Sequence, residues 1–313
     1  IELIKKYKLS NLKLFKLSVN SGQSAARNIG IKKSVGEYIF FQDIDDLISQ
    51  RTLSTLYKIA KKENCDMVCS DFKRIEETKN QRKGKYNYST NLKLNYDKIT
   101  KKMIQELYDP SLGHLGIFGC NGRLIKRSTI IKNKIFFEEK MRLIEDKIFG
   151  WNLLSFCDRI IYLRKQLYTY HVNPNINTAL TDSLNYGFGL KTVKLIVFNI
   201  KISLKRRGLA KVELEKYCQQ ALIFFSIHAL ITISRPMFLG KIDFNKAKKI
   251  RRNIIDEMFK DKDISKAIKK YVPSNQESSL IPKAIMLKSH FRLERACNKR
   301  AKETIDMRRK GKV

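Results

Sequence analysis

The segment that most constrains the fold is a short apolar run that ends in three carboxylates. Glu37 to Gln42 (Glu-Tyr-Ile-Phe-Phe-Gln) is rich in aromatic and β-branched residues, which predicts a buried strand, and Asp43, Asp45 and Asp46 follow it directly. In an open α/β sheet the carboxyl ends of the strands border the ligand crevice. The segment therefore predicts a sheet that carries an acidic site at its edge.

The chain around this segment alternates between strand and helix patterns. Leu12 to Val19 alternates apolar and polar residues and predicts a strand, and Met67 to Phe72 is typical of another short strand. Residues 24–34 and 52–63 have the spacing of helices. This βαβαβ rhythm predicts an α/β domain with a largely parallel sheet.

The rest of the chain is polar at first and then helical. Glu76 to Asn95 is polar and predicts a surface insertion, and residues 98–108 predict a helix. From about residue 183 onward, apolar residues recur at three- and four-residue spacing amid Lys and Arg. We therefore expect two regions, 1–182 and 183–313. The helical segments predicted in the second region are 191–205, 209–233, 244–271 and 280–309.

Composition excludes several classes of protein. The 43% hydrophobic content is enough for a packed core, which excludes a wholly disordered chain. Six Cys without Cys-x-x-Cys spacing and only four His argue against a zinc ribbon or a disulfide scaffold. Ala221 to Ser234 is apolar but shorter than a membrane span, so it predicts a buried helix.

The net charge is +34, and the second region is the more basic per residue. Such a field attracts nucleic acid, anionic lipid head groups or phosphorylated small molecules. Charge alone does not choose among these partners, and a solvated, Lys-rich surface is the alternative.

The three acids allow two interpretations. Crowded carboxylates repel one another unless a cation or a donor compensates them, and carboxylate oxygens suit Mg²⁺ or Mn²⁺, which can bridge to a diphosphate. The alternative is an acidic turn that caps the helix starting near Thr52.

A second segment, Asn20 to Gly30, follows a predicted strand and opens a predicted helix. Gly22 permits a tight turn, and a helix N-terminus favours a negative group. Arg27 can pair with a phosphate or hydrogen-bond a base, or it can form an ordinary structural ion pair.

Together, these two segments resemble the family 2 glycosyltransferases of the GT-A fold. The first matches Asn-x-Gly-x-Ser-x-Ala-Arg-Asn-x-Gly and the second matches Gly-Glu-Tyr-Ile-x-Phe-x-Asp-x-Asp-Asp. The resemblance covers roughly residues 10–178 and implies an α/β, GT-A-like (Rossmann-like) mixed sheet flanked by helices, followed by a mostly α-helical C-terminal region. Three later segments extend it: Cys120-Asn121-Gly122-Arg123, Glu145-Asp146 and Tyr168-x-Tyr170-His171.

The resemblance also implies site roles. Asp43 and Asp45 would hold a Mn²⁺ or Mg²⁺ ion and the diphosphate of a nucleotide sugar. Asp46 would lie beside them, with His171 as a further candidate ligand, although a packed strand histidine is the alternative. The remaining residues assigned to the nucleotide sugar are Asn20, Gly22 and Arg27.

For catalysis, the resemblance implies that Asp146 is the general base that deprotonates the acceptor hydroxyl, with Glu145 orienting it or the acceptor. Attack from the face opposite the diphosphate would invert the anomeric centre. The alternative is that Glu145-Asp146 caps a helix at 147–155.

The partners implied are a UDP-sugar, a saccharide or polyprenyl-linked acceptor, and the anionic inner face of the cell membrane, in the synthesis of a capsule or similar surface polysaccharide. No nucleic acid partner is expected. Ala284 to Leu293 and Arg308 to Lys310 are candidates for membrane contact, or else the basic helices form a cap on the catalytic domain. A nucleic-acid-binding protein and an inactive glycosyltransferase fragment are the competing hypotheses.

One departure from the family pattern concerns the N-terminus. The family's opening strand-helix-strand, with Pro-x-Tyr-Asn and Asp-Asp-Gly-Ser, has no match here, and the sequence begins without Met. We expect an N-terminally incomplete domain, strands that lack partners, and weak or no transferase activity for residues 1–313 alone.

Overall fold

A six-stranded mixed sheet flanked by helices lies at the centre of the N-terminal region. The computed structural model describes residues 11–76, 90–108, 117–141, 144–172, 189–238, 243–273 and 278–309. The strands are β1 (Tyr38–Phe40), β2 (Leu47–Ile48), β3 (Met67–Glu76), β4 (Leu92–Asn95), β5 (Arg123–Lys126) and β6 (Arg159–Val172).

The sheet order is β1-β5-β3-β6-β2, and β4 also pairs with β6. Among these named strands only β3 and β6 pair in parallel, with Met67 opposite Ile160. The expectation of a largely parallel sheet is therefore wrong, whereas the mixed sheet implied by the family resemblance is confirmed. The reason is that β5, from later in the chain, lies between β1 and β3 and runs antiparallel to both.

The helices of this region are close to those predicted for residues 24–34, 52–63 and 98–108. Asn95 caps the third of them, since its Oδ1 accepts the backbone N–H of Lys98 at 3.1 Å. The helices among the described residues of this region are α1 (Gly22–Lys33), α2 (Thr52–Glu63), α3 (Tyr96–Glu106), α4 (Arg127–Lys132) and α5 (Glu145–Leu154).

Two predictions about local structure are wrong. Leu12 to Val19 is not a strand: it pairs with no strand among the described residues, and Leu14 is 61% exposed. A strand needs a neighbour for its backbone groups, and alternation alone does not supply one. The stretch from Glu76 to Asn95 is not entirely a surface insertion. Its last residues form β4, in which the side chains of Leu92 and Leu94 pack against the core. Residues 77–89 of that stretch lie outside the described residues.

The C-terminal region is helical, as predicted. Two of the four predicted segments are each divided into shorter helices. Within 244–271, Asp261 ends one helix and caps the next by accepting the N–H of Ile264 at 3.0 Å. Within 280–309, Lys288 lies between two helices with a left-handed φ of 48°. The helices are α6 (Leu190–Arg206), α7 (Lys211–Phe238), α8 (Phe244–Lys260), α9 (Lys262–Ala267), α10 (Leu280–Met286) and α11 (His290–Arg309).

Helix α7 is the centre of this helical region and packs against α6, α8, α9 and α11. Its part Lys211–Ser234 is long and apolar enough to span a membrane by length and composition, and 72% of its most apolar window is buried. The predicted buried helix at Ala221 to Ser234 is thus confirmed. One apolar cluster extends from Ile31 in α1 to Cys297 in α11, so the two regions share a core, and the predicted boundary at residue 182 stays a prediction.

Candidate active site

The N-terminus of α1 presents Arg27 to two acids. Gly22 opens the helix with φ of 83°, and its N–H donates to Oδ1 of Asn20 at 3.1 Å. This is the tight turn that the sequence predicted at Gly22. One turn further on, Nη2 of Arg27 lies 2.8 Å from Oδ1 of Asp43 and Nη1 lies 3.3 Å from Oε1 of Glu145.

Arg27 is held as a permanent cation. Burial alone opposes its charged form, but the neighbouring Cys120, Asp43 and Glu145 outweigh burial and raise its pKa. The guanidinium also lies 5.3 Å from the centre of the Phe137 ring. The ion pair that the sequence left open for Arg27 is present, and its contact with a nucleotide stays a prediction.

Asp43 follows β1, and both of its carboxylate oxygens accept hydrogen bonds. Arg27 donates to Oδ1, and Nδ2 of Asn121 donates to Oδ2 at 2.6 Å. A parallel bridge between Phe41 and Asn121 brings the two segments together. Asn121 lies in a segment that the sequence analysis quoted without assigning it a role.

Asp46 anchors the acidic loop, residues 43–46, to β6. It is 2% exposed, its Oδ2 accepts the Tyr168 hydroxyl at 2.5 Å, and its Oδ1 accepts the backbone N–H of His171 at 3.0 Å. Burial raises the pKa of Asp46, and the two hydrogen bonds oppose that rise. The same Tyr168 hydroxyl accepts the Asp43 N–H at 3.3 Å, so this side chain fixes the loop at two points.

The predicted metal set of Asp43, Asp45, Asp46 and His171 is not assembled as a cluster. In the part of the chain that the structure describes, no group of three or more His, Cys, Asp or Glu side chains is arranged to hold a metal ion. Both oxygens of Asp43 and both of Asp46 already accept protein hydrogen bonds.

Asp45 differs from its neighbours. It is exposed, and its carboxylate has no hydrogen bond or ion pair with another described residue. Mg²⁺ bound with a nucleotide commonly takes only one or two protein carboxylates and fills its remaining positions with phosphate oxygens and water. An exposed carboxylate without a partner among the described residues, such as that of Asp45, fits a metal of that kind.

Glu145 and Asp146 begin α5 after a strained residue. Ile144 has a φ of 63°, which is rare for a β-branched side chain and costs conformational energy. Glu145 is 5% exposed, and its Oε1 accepts Nε2 of Gln23 at 2.5 Å in addition to Arg27. Burial, and then the nearby Asp146, raise the pKa of Glu145.

Asp146 is half-buried in the first turn of α5. Its Oδ1 accepts the N–H of Lys147 at 2.7 Å, and its second oxygen has no partner among the described residues. The alternative that this pair caps a helix at 147–155 is wrong, because the helix begins at Glu145 and its N-cap is Ile144. The two acids lie instead in the first turn of α5, where the helix dipole favours negative charge.

Charged side chains of both motifs influence the buried thiol of Cys120. Burial raises the pKa of the Cys120 thiol to about 12, Arg27 opposes that rise, and Asp146, Asp43 and Glu145 add to it. One thiol thus lies within electrostatic reach of all four charged groups. The ion pairs of Arg27 bring Asp43 and Glu145 together, although these two acids lie in distant motifs of the sequence.

Two supports of α5 were missed by the sequence analysis. Nζ of Lys147 lies 2.9 Å from Oε1 of the buried Glu106 in α3, and no sequence pattern indicated that pair. Gly150 packs directly on the preceding loop, since a Cβ there would lie 1.8 Å from the carbonyl oxygen of Phe118. A glycine inside a helical pattern is the signal that could have identified this contact.

Comparisons with known proteins find similar glycosyltransferases. Residues 1–148 match the model of glycosyl transferase family 2. The chain is 25% identical over 264 residues to a cholesterol galactosyltransferase of Borreliella burgdorferi, covering 82% of this chain and 71% of that protein. It is 32% identical over 178 residues to the poly(ribitol-phosphate) β-N-acetylglucosaminyltransferase TarP of Staphylococcus aureus, covering 56% of this chain and 49% of TarP.

The fold is also that of a solved glycosyltransferase. A crystal structure of Staphylococcus aureus TarS in complex with UDP-GlcNAc superimposes with a TM-score of 0.64 at 15% identity, covering 97% of this chain and 79% of that one. At this identity the likeness establishes the GT-A fold alone. The segment that carries the acidic site between β1 and α5, residues 1–148, thus matches the glycosyl transferase family 2 model, and the chain has the fold of such an enzyme.

Proposed function

We propose that this protein transfers a sugar from a UDP-sugar to an acceptor hydroxyl, with inversion at the anomeric carbon. The observation that carries the proposal is the Arg27 bridge. It ties Asp43, on the donor side of the site, to Glu145, which begins the helix of the base. A donor group and an acceptor group must meet within one cleft for direct displacement.

Asp146 acts as the general base. It lies next to Glu145, and one of its oxygens is free of described partners. Glu145 is buried, and its Oε1 accepts hydrogen bonds from Gln23 and Arg27, so we assign it to positioning the cleft. The acceptor proton passes to the Asp146 carboxylate, and the acceptor oxygen forms the new glycosidic bond as the bond to the diphosphate breaks.

Asp45, with Asp43 beside it, would hold a Mn²⁺ or Mg²⁺ ion together with the donor diphosphate. Such an ion neutralises charge on the departing nucleoside diphosphate. Asp46 keeps the loop in place through Tyr168 and His171, so its role is positional. A metal contact by the His171 imidazole stays a prediction.

The substrate class follows from the relatives. TarP is named for transfer of N-acetylglucosamine to poly(ribitol phosphate), and the TarS structure holds UDP-GlcNAc. We propose a UDP-hexose or UDP-N-acetylhexosamine donor and a hydroxyl acceptor on a saccharide, polyol-phosphate or lipid-linked glycan. The product would be a surface polysaccharide, and the net charge of +34 supports work at the cytoplasmic face of the cell membrane.

Calorimetric titration with UDP, with and without Mn²⁺, tests the donor site. We expect Mn²⁺-dependent binding by the wild type and its loss in Asp45→Asn. Asp97→Asn, an exposed acid in the first turn of α3, is the matched control and should bind as the wild type does. Binding that is indifferent to Mn²⁺ and to Asp45 would contradict the proposed donor site.

A further inference from the structure

The turn between α10 and α11 presents an apolar corner to solvent. We define the corner as residues 286–292. Within it, Met286, Leu287 and Phe291 are 50%, 59% and 74% exposed. Lys288 makes the turn with a left-handed φ of 48°. Three large apolar side chains thus point into water within six residues, which calls for a partner surface.

Unpaired cations surround these side chains. Lys283, Lys288 and Arg292 are all exposed, and none of them pairs with an acid in the described part of the chain. The corner therefore interleaves apolar and basic groups, which is the composition of segments that lie in a membrane interface.

An apolar cavity of about 360 Å³ lies behind the corner. Met286 belongs both to its lining and to the corner, so the apolar surface continues from solvent into the cavity. Its lining residues are Met258, Phe259, Ile264, Ser265, Ile268, Lys269, Ile285, Met286 and Lys288.

The corner is held by the folded helices on both sides. Ile285 and Leu293 are buried on either side of it. The His290 ring lies 4.9 Å from that of Phe259, and Nε2 of His290 lies 3.1 Å from Oδ1 of Asp256. The exposed side chains are therefore presented by a fixed scaffold.

We propose that this corner docks onto a lipid bilayer that contains anionic lipids. Met286, Leu287 and Phe291 enter the acyl region, and the surrounding cations meet the lipid phosphates. The net charge favours a bilayer over a second copy of the chain as the partner, since two protomers of net charge +34 repel each other. The proposal does not depend on transferase activity, because bilayer binding is measured without turnover.

A fluorescent reporter tests insertion directly. The chain has one tryptophan, Trp151, which is 2% exposed. Phe291→Trp places a second indole at the corner, and Phe198→Trp places one at a 58% exposed site on α6. With vesicles of brominated phosphatidylglycerol and phosphatidylcholine, we expect quenching of the added indole in Phe291→Trp and none in Phe198→Trp. Equal quenching of both, or of neither, would overturn the proposal.

Vesicle flotation of the full chain gives an independent measure. Leu287→Ser with Phe291→Ser should weaken binding to phosphatidylglycerol-containing vesicles by about tenfold or more, because exposed apolar side chains provide the insertion energy. Val212→Ser with Phe198→Ser is the matched control from other exposed sites and should bind as the wild type does.

Two flotation results would refute the docking surface: equal losses of binding in the two double variants, or binding that does not depend on lipid charge. A sedimentation result would refute it as well, if the wild type is a dimer and only Leu287→Ser with Phe291→Ser makes it a monomer. Circular dichroism of each variant separates loss of binding from loss of fold.

Discussion

Nη2 of Arg27 lies 2.8 Å from Oδ1 of Asp43, and the other terminal nitrogen of the same guanidinium lies 3.3 Å from Oε1 of Glu145. A planar guanidinium holds two carboxylates with two separate nitrogens at a fixed separation, whereas an ammonium offers one nitrogen on a flexible stem. The geometry of the proposed donor and base groups therefore depends on one side chain.

Arg27→Lys should separate charge from geometry. Lysine keeps the positive charge but lacks the planar fork that places separate nitrogens on Asp43 and Glu145, so we expect kcat/KM for the UDP-sugar to fall by about tenfold or more. Arg51→Lys, at an exposed position before α2, is the control and should be neutral. A fully active Arg27→Lys enzyme would show that the bridge does not matter.

Tyr168→Phe should lower the free energy of unfolding by removing one anchor of the acidic loop. The change removes the hydroxyl that donates to Asp46 and leaves a buried carboxylate oxygen unpaired, which costs about 1–3 kcal/mol of the free energy of unfolding. Urea denaturation measures the change. Tyr57→Phe, at a 45% exposed tyrosine, should cost much less, and equal losses in the two variants would argue against the anchor.

Two glycine substitutions in helices should have opposite effects. Gly150→Ala would bring a methyl group 1.8 Å from the Phe118 carbonyl oxygen, so we expect a loss of about 1–3 kcal/mol or more and a displaced α5. Gly30→Ala meets nothing within 4 Å in α1 and should stabilise the protein by roughly 0.5–1 kcal/mol. Thermal unfolding distinguishes a loss of stability from a gain, and a gain in both variants would refute the close contact at Gly150.

Glu106→Gln should change how stability depends on pH. Burial raises the pKa of Glu106 above its ordinary value of 4.5. The folded state therefore holds this proton more tightly than the unfolded state, and stability contributed by the proton is lost as pH rises above 4.5. Glutamine cannot titrate, so the difference in unfolding free energy between variant and wild type should shift in favour of the variant as pH rises through that range. A pH-independent difference would contradict this.

Sequence patterns predicted the parts of this fold that depend on local periodicity. The apolar spacing in residues 52–63 gave α2 with the observed bounds, because Leu56 and Ala60 lie on one buried face. The strand predicted over Leu12 to Val19 failed because alternation says nothing about a neighbouring strand. The antiparallel placement of β5 could not be predicted either, since pairing between distant segments leaves no local signal.

The predictions for the site also depended on local sequence patterns. Asp43, Glu145 and Asp146 were found through motif order and spacing, and in the structure Arg27 joins Asp43 to Glu145, the neighbour of Asp146 in α5. The same motifs include Arg27, which pairs with two of these acids, but no pattern indicated Asn121 as a partner. Asn121 donates to Asp43 from 78 positions away, and such a contact exists only once the chain has folded.

The most direct test of the account is the effect of Asp146→Asn on the rate of sugar transfer, measured beside UDP binding by the same protein. Asparagine has nearly the shape of aspartate but cannot accept the acceptor's proton. We predict a loss of kcat of about 10²–10⁴-fold, with the affinity for UDP within a factor of about two of the wild type. Transfer at the wild-type rate by Asp146→Asn would contradict the role of this carboxylate as the base.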